Sequence, residues 1–327
     1  MLLRLKVMDK SSSGVNNFYR NNIVKPNIAK RIFLLAVLLI SVQLSVVVNA
    51  SGAPITVKDD AGNIITIAQP ALRVVTMAPH ITELIYAAGG GSRIVGTVKY
   101  SDYPIAAKSI PRIGDNSLLD IERLIALKPD LLVVWRHNSA DRQLEQLRKL
   151  GIPLFYSDPR KLRDIPDSII RLGQLLGTSG EAEKAATALR EKIDALVFKY
   201  QPRPRVRVFY QVWSRPLYTL NGGQIVSDAI NVCGGENIFA HLTVTAPVVN
   251  IEAVLVENPE VLVSGQRKDD QSDLNYWRSY PGLLAVQRNN LFGIDADQMN
   301  RAGPRLIDGA AVLCEKLDLA RSRRGQP

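Results

Sequence analysis

The chain has 327 residues, 46% of them hydrophobic, and a formal net charge of +10. Residues 1–50 hold seven lysines and arginines against one acid, which leaves residues 51–327 with a net charge of only +4. The basic residues form no patch interleaved with aromatic ones, so nucleic acid is excluded as the natural partner. The length of residues 51–327 suits one large domain or two modest ones.

The first fifty residues have the pattern of an export signal. Residues 32–50 carry no charge, follow Lys30 and Arg31, and end on Val48-Asn49-Ala50, a small-residue cleavage motif. We therefore expect a cleaved signal peptide over residues 1–50. The alternative is an uncleaved membrane anchor, since the apolar run is at the lower edge of spanning length. The long segment before Lys30 leaves open a start at Met8 or later. Because no cysteine lies near the cleavage motif, we expect no lipid anchor.

Strand and helix patterns alternate through the next hundred residues. A short apolar strand is predicted over residues 73–77 and an amphipathic helix over 82–88, which the glycines of 89–91 end. Continuous apolar runs at 131–134 and 154–156 are typical of strands buried on both faces. This alternation predicts a parallel α/β lobe.

The second half of the chain repeats the first in order. Residues 120–134 resemble residues 250–264, and both segments open on a helix-capping residue followed by Ile and Glu. Upstream of each, residues 82–90 resemble residues 227–235. Two ordered repeats predict two similar lobes. The alternative is a chance likeness between strand–helix units.

A long helical segment separates the two halves. It runs from Ser179 to about Tyr200 without proline and without any glycine after Gly180, and Pro202 and Pro204 end it. A single helix between two lobes is a stiff connection that allows small rocking motions. The predicted division is a signal peptide (1–50), a first α/β lobe (51–178), a connecting helix (179–201) and a second α/β lobe (202–327).

Several segments between residues 72 and 318 carry a family resemblance. They are, in chain order, APHITELIYAAG, YSDYP at 100–104, IERLIALKPDLLVVWR, RQLEQLRKLGI, VCGGENIF and RAGPRL at 301–306. On these segments the chain resembles the cobalamin-binding periplasmic components of ATP-driven (ABC) importers. They belong to the helical-backbone class of solute-binding proteins, which also takes haem and ferric siderophores.

The resemblance implies two Rossmann-like lobes joined by one helix, with a ligand cleft between them. It implies a soluble periplasmic monomer that captures a macrocyclic ligand, above all a corrinoid, and delivers it to an ABC permease in the inner membrane. No cofactor other than the transported ligand is expected. Haem or ferric siderophore binding in the same class is the alternative.

An exported α/β enzyme is a rival class, but it would need a nucleophile elbow, a phosphate loop or clustered metal ligands. The sequence has none of these. Its glycine-rich run at 89–96 follows a predicted helix instead of preceding one. An adhesive or structural protein would show a repeat array, which is also missing. We therefore predict a binding protein and not an enzyme.

The two cysteines indicate one structural disulfide in an exported chain. The resemblance implies that Cys233 and Cys314 form it, with an expected stabilisation of roughly 4 kcal/mol for so long a loop. Two buried free thiols are the alternative.

Glu122 and Glu252 occupy the same place in each repeat, near the start of a predicted helix. By itself this placement is typical of a carboxylate that complements the helix dipole. The resemblance implies that each lobe presents one of these glutamates to a basic pocket of the permease. Such paired charges fix orientation and speed encounter.

Ligand contacts are predicted where strands end. Tyr100 and Trp135 follow predicted strands, at the ends that face the crevice in α/β lobes, and match ligand-facing positions of the family. Trp213 is placed equivalently in the second half, with a looser match. Each offers a flat apolar face suited to a large conjugated ring, although ordinary core packing is the alternative.

Asp297 and Arg301 match cleft residues near the chain end. The guanidinium of Arg301 could bond an acetamide, carboxylate or propionate of a ligand. A salt bridge within the loop is an equally good interpretation.

The chain departs from the cobalamin pattern at two stacking positions and at one histidine. Asn116 and Ala246 stand where the family places tryptophans, which puts cobalamin itself in doubt. His80 stands in the first strand–helix loop, where its imidazole could ligate haem iron or corrinoid cobalt or make a loop hydrogen bond. His137 and His241 are predicted to be surface residues.

Overall fold

The computed structural model describes residues 53–115, 118–135, 141–266 and 272–325. The predicted signal peptide, Asn116 and His137 lie outside the described residues. Within those ranges, no helix combines the length and the apolar character needed to cross a membrane.

Strands and helices alternate along the chain. The strands are β1 (Ile55–Lys58), β2 (Ile64–Ile67), β3 (Val74–Thr76), β4 (Ile94–Thr97), β5 (Leu131–Val134), β6 (Leu154–Tyr156), β7 (Val206–Gln211), β8 (Trp213–Ser214), β9 (Leu217–Tyr218), β10 (Gly235–Asn237), β11 (Val261–Gln266) and β12 (Leu291–Asp295). The α-helices are α1 (Pro79–Ala87), α2 (Ile121–Ala126), α3 (Asp141–Lys149), α4 (Asp164–Leu176), α5 (Ser179–Tyr200), α6 (Ile225–Val232), α7 (Ile251–Glu257), α8 (Ser272–Asn275), α9 (Leu284–Gln287), α10 (Ala296–Met299) and α11 (Arg305–Ser322). Short 3₁₀ turns cover Gly91–Arg93, Ile105–Ser109, Tyr276–Ser279 and Arg323–Gly325.

The first lobe is built on a four-stranded sheet of order β4-β3-β5-β6, in which every pair is parallel. All four residues of β5 are buried, as a strand covered on both faces requires. The predicted strands of this lobe are confirmed. Helix α1 begins three residues earlier than its pattern predicts, because Pro79 at its start supplies a backbone angle suited to a helix.

The second lobe repeats this design with a parallel sheet of order β10-β7-β11-β12. A short antiparallel hairpin, β8–β9, follows the carboxyl end of β7. The prediction of two similar α/β lobes is therefore confirmed.

The repeated segments have matching local structure. The side chain of Asp120 accepts a hydrogen bond from the backbone of Arg123 at 2.9 Å, and that of Asn250 accepts one from Ala253 at 2.8 Å, so both residues cap the helices that follow. Gly89 and Gly234 are the last but one residues of the upstream repeats, and both have a positive φ, of +81° and +68°. A residue with a Cβ would be strained in that conformation.

Helix α5 is a single 22-residue helix that stands between the two lobes in the sequence. Its residues Ala182, Ile193 and Tyr200 belong to one hydrophobic core that contains residues of both lobes. A disulfide between Cys233 and Cys314 joins the end of α6 to α11. The exact domain boundaries remain a prediction.

Candidate functional site

Three of the six predicted ligand-contact residues follow the carboxyl ends of first-lobe strands. His80 follows β3 but lies in the first turn of α1, not in the loop as predicted, because Pro79 already begins the helix. Tyr100 follows β4 and Trp135 follows β5. In the second lobe, Asp297 and Arg301 follow β12. Parallel strands present their carboxyl ends at one edge, which is where α/β lobes bind ligands.

Arg301 connects the two lobes. Its guanidinium lies 3.3 Å from Oε1 of Glu83 and 3.1 Å from Oδ1 of Asp102, both in the first lobe, and 2.7 Å from Asp297 in its own lobe. Arg305 adds a bidentate pair to Glu83, at 2.7 and 3.0 Å. We call Glu83, Asp102, Asp297, Arg301 and Arg305 the interlobe cluster.

Glu83 is the centre of the interlobe cluster. Its side chain is only 2% exposed and accepts hydrogen bonds from both arginines. The Arg305 guanidinium also lies over the ring of Tyr103, 4.1 Å from its centroid. A carboxylate so buried is stable only when it is paired and hydrogen-bonded, which the two arginines provide.

The interlobe cluster shifts the pKa of two of its members, Asp102 and Arg305. Partial burial would raise the pKa of Asp102, but the hydrogen bond and charge of Arg301, together with the charge of Arg305, hold that pKa below its usual value. Burial would likewise lower the pKa of Arg305, and the hydrogen bond and charge of Glu83 raise it above the usual value. Asp102 and Arg305 are therefore both ionised at neutral pH.

His80 and Trp135 form a second group in the first lobe. Their rings meet edge to face with centroids 5.5 Å apart, and the indole Nε1 donates to Asp158 at 3.1 Å. Burial lowers the pKa of His80 to about 4, against the smaller raising effects of a hydrogen bond to the backbone of Ser157 and of the charge of Asp158. The imidazole is neutral at pH 7, and its Nε2 has no hydrogen-bond partner within the described ranges.

Tyr100 and Trp213 leave large aromatic surface in solvent, one on each lobe. Tyr100 is 55% exposed and holds a backbone φ of +67°, a left-handed conformation that is uncommon for a residue with a bulky side chain. Trp213 is 60% exposed in β8, where its Nε1 donates to the carbonyl of Arg215 at 3.0 Å. Rings exposed to this extent are not packed in a core, so both are accessible to a ligand.

Apolar side chains lie close in sequence to the two positions where the family has stacking tryptophans. Ala246 is exposed and lies between Val244 and Val248, which are exposed too. Leu118, two residues after the expected first tryptophan position, is 70% exposed. Aliphatic surface therefore flanks each position in sequence, although no aromatic ring is supplied at Ala246.

Glu122 and Glu252 are both exposed in the first turns of α2 and α7. Their positions suit the helix dipole and leave the carboxylates accessible, so both interpretations of these residues remain compatible with the fold. His241 is exposed, as predicted.

Sequence reasoning missed Glu83, Asp102, Tyr103 and Arg305. Each lies inside one of the segments that carry the family resemblance, but no spacing rule relates Glu83 to an arginine more than 200 positions away. Among the described residues, no group of three or more His, Cys, Asp or Glu side chains could hold a metal ion.

Two parallel-sheet lobes with a single long helix between them in the sequence define a two-lobed α/β solute-binding protein. The sequence profile of the periplasmic binding protein family matches residues 74–298, and the chain belongs to this family.

Similar proteins agree with this class. A vitamin B12-binding protein of Vibrio parahaemolyticus is 35% identical over 257 residues, which cover 78% of this chain and 93% of that protein. The crystal structure of the periplasmic vitamin B12-binding protein BtuF of Vibrio cholerae superposes with a TM-score of 0.73 at 35% identity, covering 77% of this chain and 98% of that one. A periplasmic haem-binding protein of Pseudomonas aeruginosa has a TM-score of 0.64 at 25% identity, covering 75% of this chain and 91% of that one.

Proposed function

We propose that the protein captures a corrinoid in the periplasm and delivers it to an ABC permease in the inner membrane, without catalysing a reaction. The carrying observation is the likeness to vitamin B12-binding proteins along almost their whole length. The exposed aromatic and aliphatic side chains on both lobes support it, because a large macrocycle offers the apolar surface that would cover them.

In this proposal, the ligand lies between the lobes, against Tyr100 and Trp135 on one side and Trp213 on the other. Asp297 and Arg301 stand at the edge of the cleft, and Val248 and Leu118 take over part of the apolar contact of the absent tryptophans. The interlobe cluster keeps the lobes at a fixed separation, so little ordering is needed when the ligand binds. Glu122 and Glu252 are then the charges that meet the permease.

The test is a titration of residues 51–327 with cyanocobalamin, followed by heat and by the visible spectrum. We expect saturable one-to-one binding, weakened about tenfold in Trp135→Ala by loss of aromatic contact. Phe198→Ala is the matched control, because Phe198 is an exposed aromatic residue on α5. Absence of binding by the unchanged protein would refute the corrinoid assignment.

Haem is the second candidate, and His80 favours it. Its neutral, buried imidazole keeps one nitrogen without a partner among the described residues, and neutral imidazole is a good ligand for iron. Titration with haemin would show a shifted Soret band in the unchanged protein and loss of that shift in His80→Ala. A Soret band unaffected by this substitution would exclude His80 as the ligand.

A further inference from the structure

The amino-end edge of the second-lobe sheet carries a dense group of arginines. Strands β7, β10, β11 and β12 are parallel, so their first residues lie at one edge, opposite the edge that carries the predicted ligand site. We call this surface the basic edge, and its arginines are Arg203, Arg205, Arg207, Arg288, Arg321, Arg323 and Arg324. They come from three segments that lie far apart in the sequence, so this basic patch, which the sequence did not predict, forms only in the fold.

Hydrogen bonds between these segments hold the basic edge together. Arg321 donates to the carbonyl of Pro204 at 2.8 Å and to that of Cys233 at 2.6 Å. Arg323 donates to the carbonyl of Asn289 at 2.7 Å, in the turn before β12. The last turn of α11 and the 3₁₀ turn after it are thereby fixed against the starts of the strands.

The acids at the basic edge are fewer than the cations. Three of them are already paired with arginines, in the pairs Glu257–Arg207, Asp318–Arg321, Glu260–Arg288 and Glu260–Arg324. Two lysines, Lys199 and Lys316, and two further acids, Glu236 and Glu315, lie around these pairs. The basic edge therefore holds nine cations against five acids.

Three arginines supply the excess positive charge. Arg203, Arg205 and Arg323 donate to carbonyl or amide oxygens, and among the described residues none of the three forms an ion pair with a carboxylate. Arg203 and Arg205 are also exposed. Burial lowers the pKa of Arg321 below its usual value, and the charges of Arg324 and Arg203 lower it further, against the raising effect of its paired carboxylate. The basic edge thus has a positive potential that its own acids do not neutralise.

An exposed aromatic ring lies beside the basic edge. Phe198 is in the last turn of α5, next to Lys199, and is 87% exposed. The backbone N–H of Arg203 donates to the carbonyl of Tyr200 at 3.1 Å, so the end of α5 leads directly into the basic edge. Leu319, in the last turn of α11, is exposed too. Apolar side chains left in water gain free energy when they enter an apolar phase.

Basic side chains around exposed apolar ones are the combination that binds an anionic membrane surface. We propose that the basic edge docks the protein on a membrane surface rich in anionic lipids. The guanidiniums meet lipid phosphates, and the ring of Phe198 enters the boundary between headgroups and acyl chains. The predicted ligand site, at the opposite edge, stays accessible in this orientation. This inference goes beyond the proposed function and does not rest on it.

Two other partners fit this surface less well. Tyr200 and Phe292, the other aromatic residues described at this edge, are buried, so single-stranded nucleic acid would find no series of stacking rings there. A protein partner would need a shaped contact for Phe198, which at 87% exposure lies in no groove. A fluid lipid surface accommodates a protruding ring without such a shape.

The test is flotation of residues 51–327 with vesicles of phosphatidylcholine alone, or of phosphatidylcholine and phosphatidylglycerol in equal parts. We expect binding to the anionic vesicles at low salt and release at high salt, because screening removes the attraction. Arg203→Gln with Arg205→Gln should weaken this partition about fivefold for each charge removed. Phe198→Ser should weaken it about tenfold through loss of the inserted ring. Cyanocobalamin binding should be the same in all these variants.

The matched control is Arg123→Gln with Lys149→Gln, which removes two exposed positive charges from helices of the first lobe. It should leave the vesicle partition nearly unchanged. Equal weakening by the two double variants would show that net charge alone is responsible and would overturn the assignment. Equal binding to neutral and anionic vesicles, or binding to neither, would overturn it as well. Because flotation is done without ligand, a failure to bind cyanocobalamin would count against the proposed function alone.

Discussion

Glu83 of the first lobe accepts two hydrogen bonds from the guanidinium of Arg305 in the second lobe, at 2.7 and 3.0 Å. Arg301 adds a third bond to the same carboxylate. Helix α5 stands between the two lobes in the sequence, and this ionic contact is a non-covalent connection between them.

Removing the charge of Glu83 should destabilise the protein strongly. Glu83→Gln leaves Arg301 and Arg305, both largely buried, without their shared counter-charge, and breaking a buried pair on one side costs about 3 kcal/mol. We expect a lower urea midpoint with a free energy of unfolding reduced by that amount. The interlobe contact should also loosen, and cyanocobalamin binding should weaken.

The matched control is Glu145→Gln. Glu145 pairs with Arg148 on the surface, where both side chains are about half exposed, so its loss should cost less than about 1 kcal/mol. Similar losses in the two variants would show that the interlobe cluster has no special role in stability.

The buried imidazole of His80 should make stability depend on pH. Its pKa is lowered from 6.5 to about 4 in the folded protein, mainly by burial. Between these values the unfolded chain binds a proton that the folded protein does not, so lowering the pH favours unfolding. Going from about pH 7.5 to about pH 5, this residue should remove about 2 kcal/mol of stability, and the loss should level off below pH 4.

Urea unfolding of the unchanged protein and of His80→Gln at both pH values measures this term as a difference. The unchanged protein should lose about 2 kcal/mol more than His80→Gln on acidification. His241→Asn, at an exposed histidine, should behave like the unchanged protein. If the unchanged protein and His80→Gln lose equal stability on acidification, the imidazole is not held neutral by burial.

The fold could be predicted well from the sequence because its signals are local. The apolar run at 131–134 forms β5 with those bounds, because four consecutive apolar residues are typical of a buried strand. Ser179–Tyr200 forms α5, because no proline or glycine interrupts it after its first turn. The capping roles of Asp120 and Asn250 could also be predicted from the sequence, because a cap bonds to a backbone group only three residues away.

The site was only partly predictable, because its contacts are long-range. For Arg301, the sequence left ligand binding and a salt bridge equally open, and the fold shows three carboxylates around it, two of them from the other lobe. No periodic pattern relates residues 83 and 301. A role of Arg301 toward the ligand stays a prediction, and it would require the guanidinium to share or exchange these partners.

The disulfide between Cys233 and Cys314 should contribute substantially to stability. It closes a long loop, since the two cysteines are 81 positions apart, and a loop of this size is worth about 4 kcal/mol in the chain-entropy model. The variant with both cysteines changed to alanine should unfold at a lower urea concentration by that free energy. Dithiothreitol should shift the unchanged protein toward the variant and leave the variant itself unaffected. A reductant effect on the double variant would show that something other than the disulfide is responsible.

The two exposed glutamates should govern how fast the protein meets its transporter. Glu122→Gln with Glu252→Gln removes one charge from equivalent places on each lobe and leaves the helix caps Asp120 and Asn250 intact. Because rim charges act on encounter, association with a vitamin B12 importer in nanodiscs should slow about tenfold at low salt, while dissociation changes less. High salt should slow the unchanged protein toward the rate of the variant, since screening removes the same attraction.

Two controls make the docking experiment decisive. Glu191→Gln neutralises an exposed glutamate on α5 and should leave the association rate unchanged, which separates a local effect from a change in net charge. Cyanocobalamin titration of the single variant Glu122→Gln should match the unchanged protein, which separates docking from ligand capture. If the double variant associates at the unchanged rate at low salt, Glu122 and Glu252 serve only the dipoles of α2 and α7, and the permease recognises another surface.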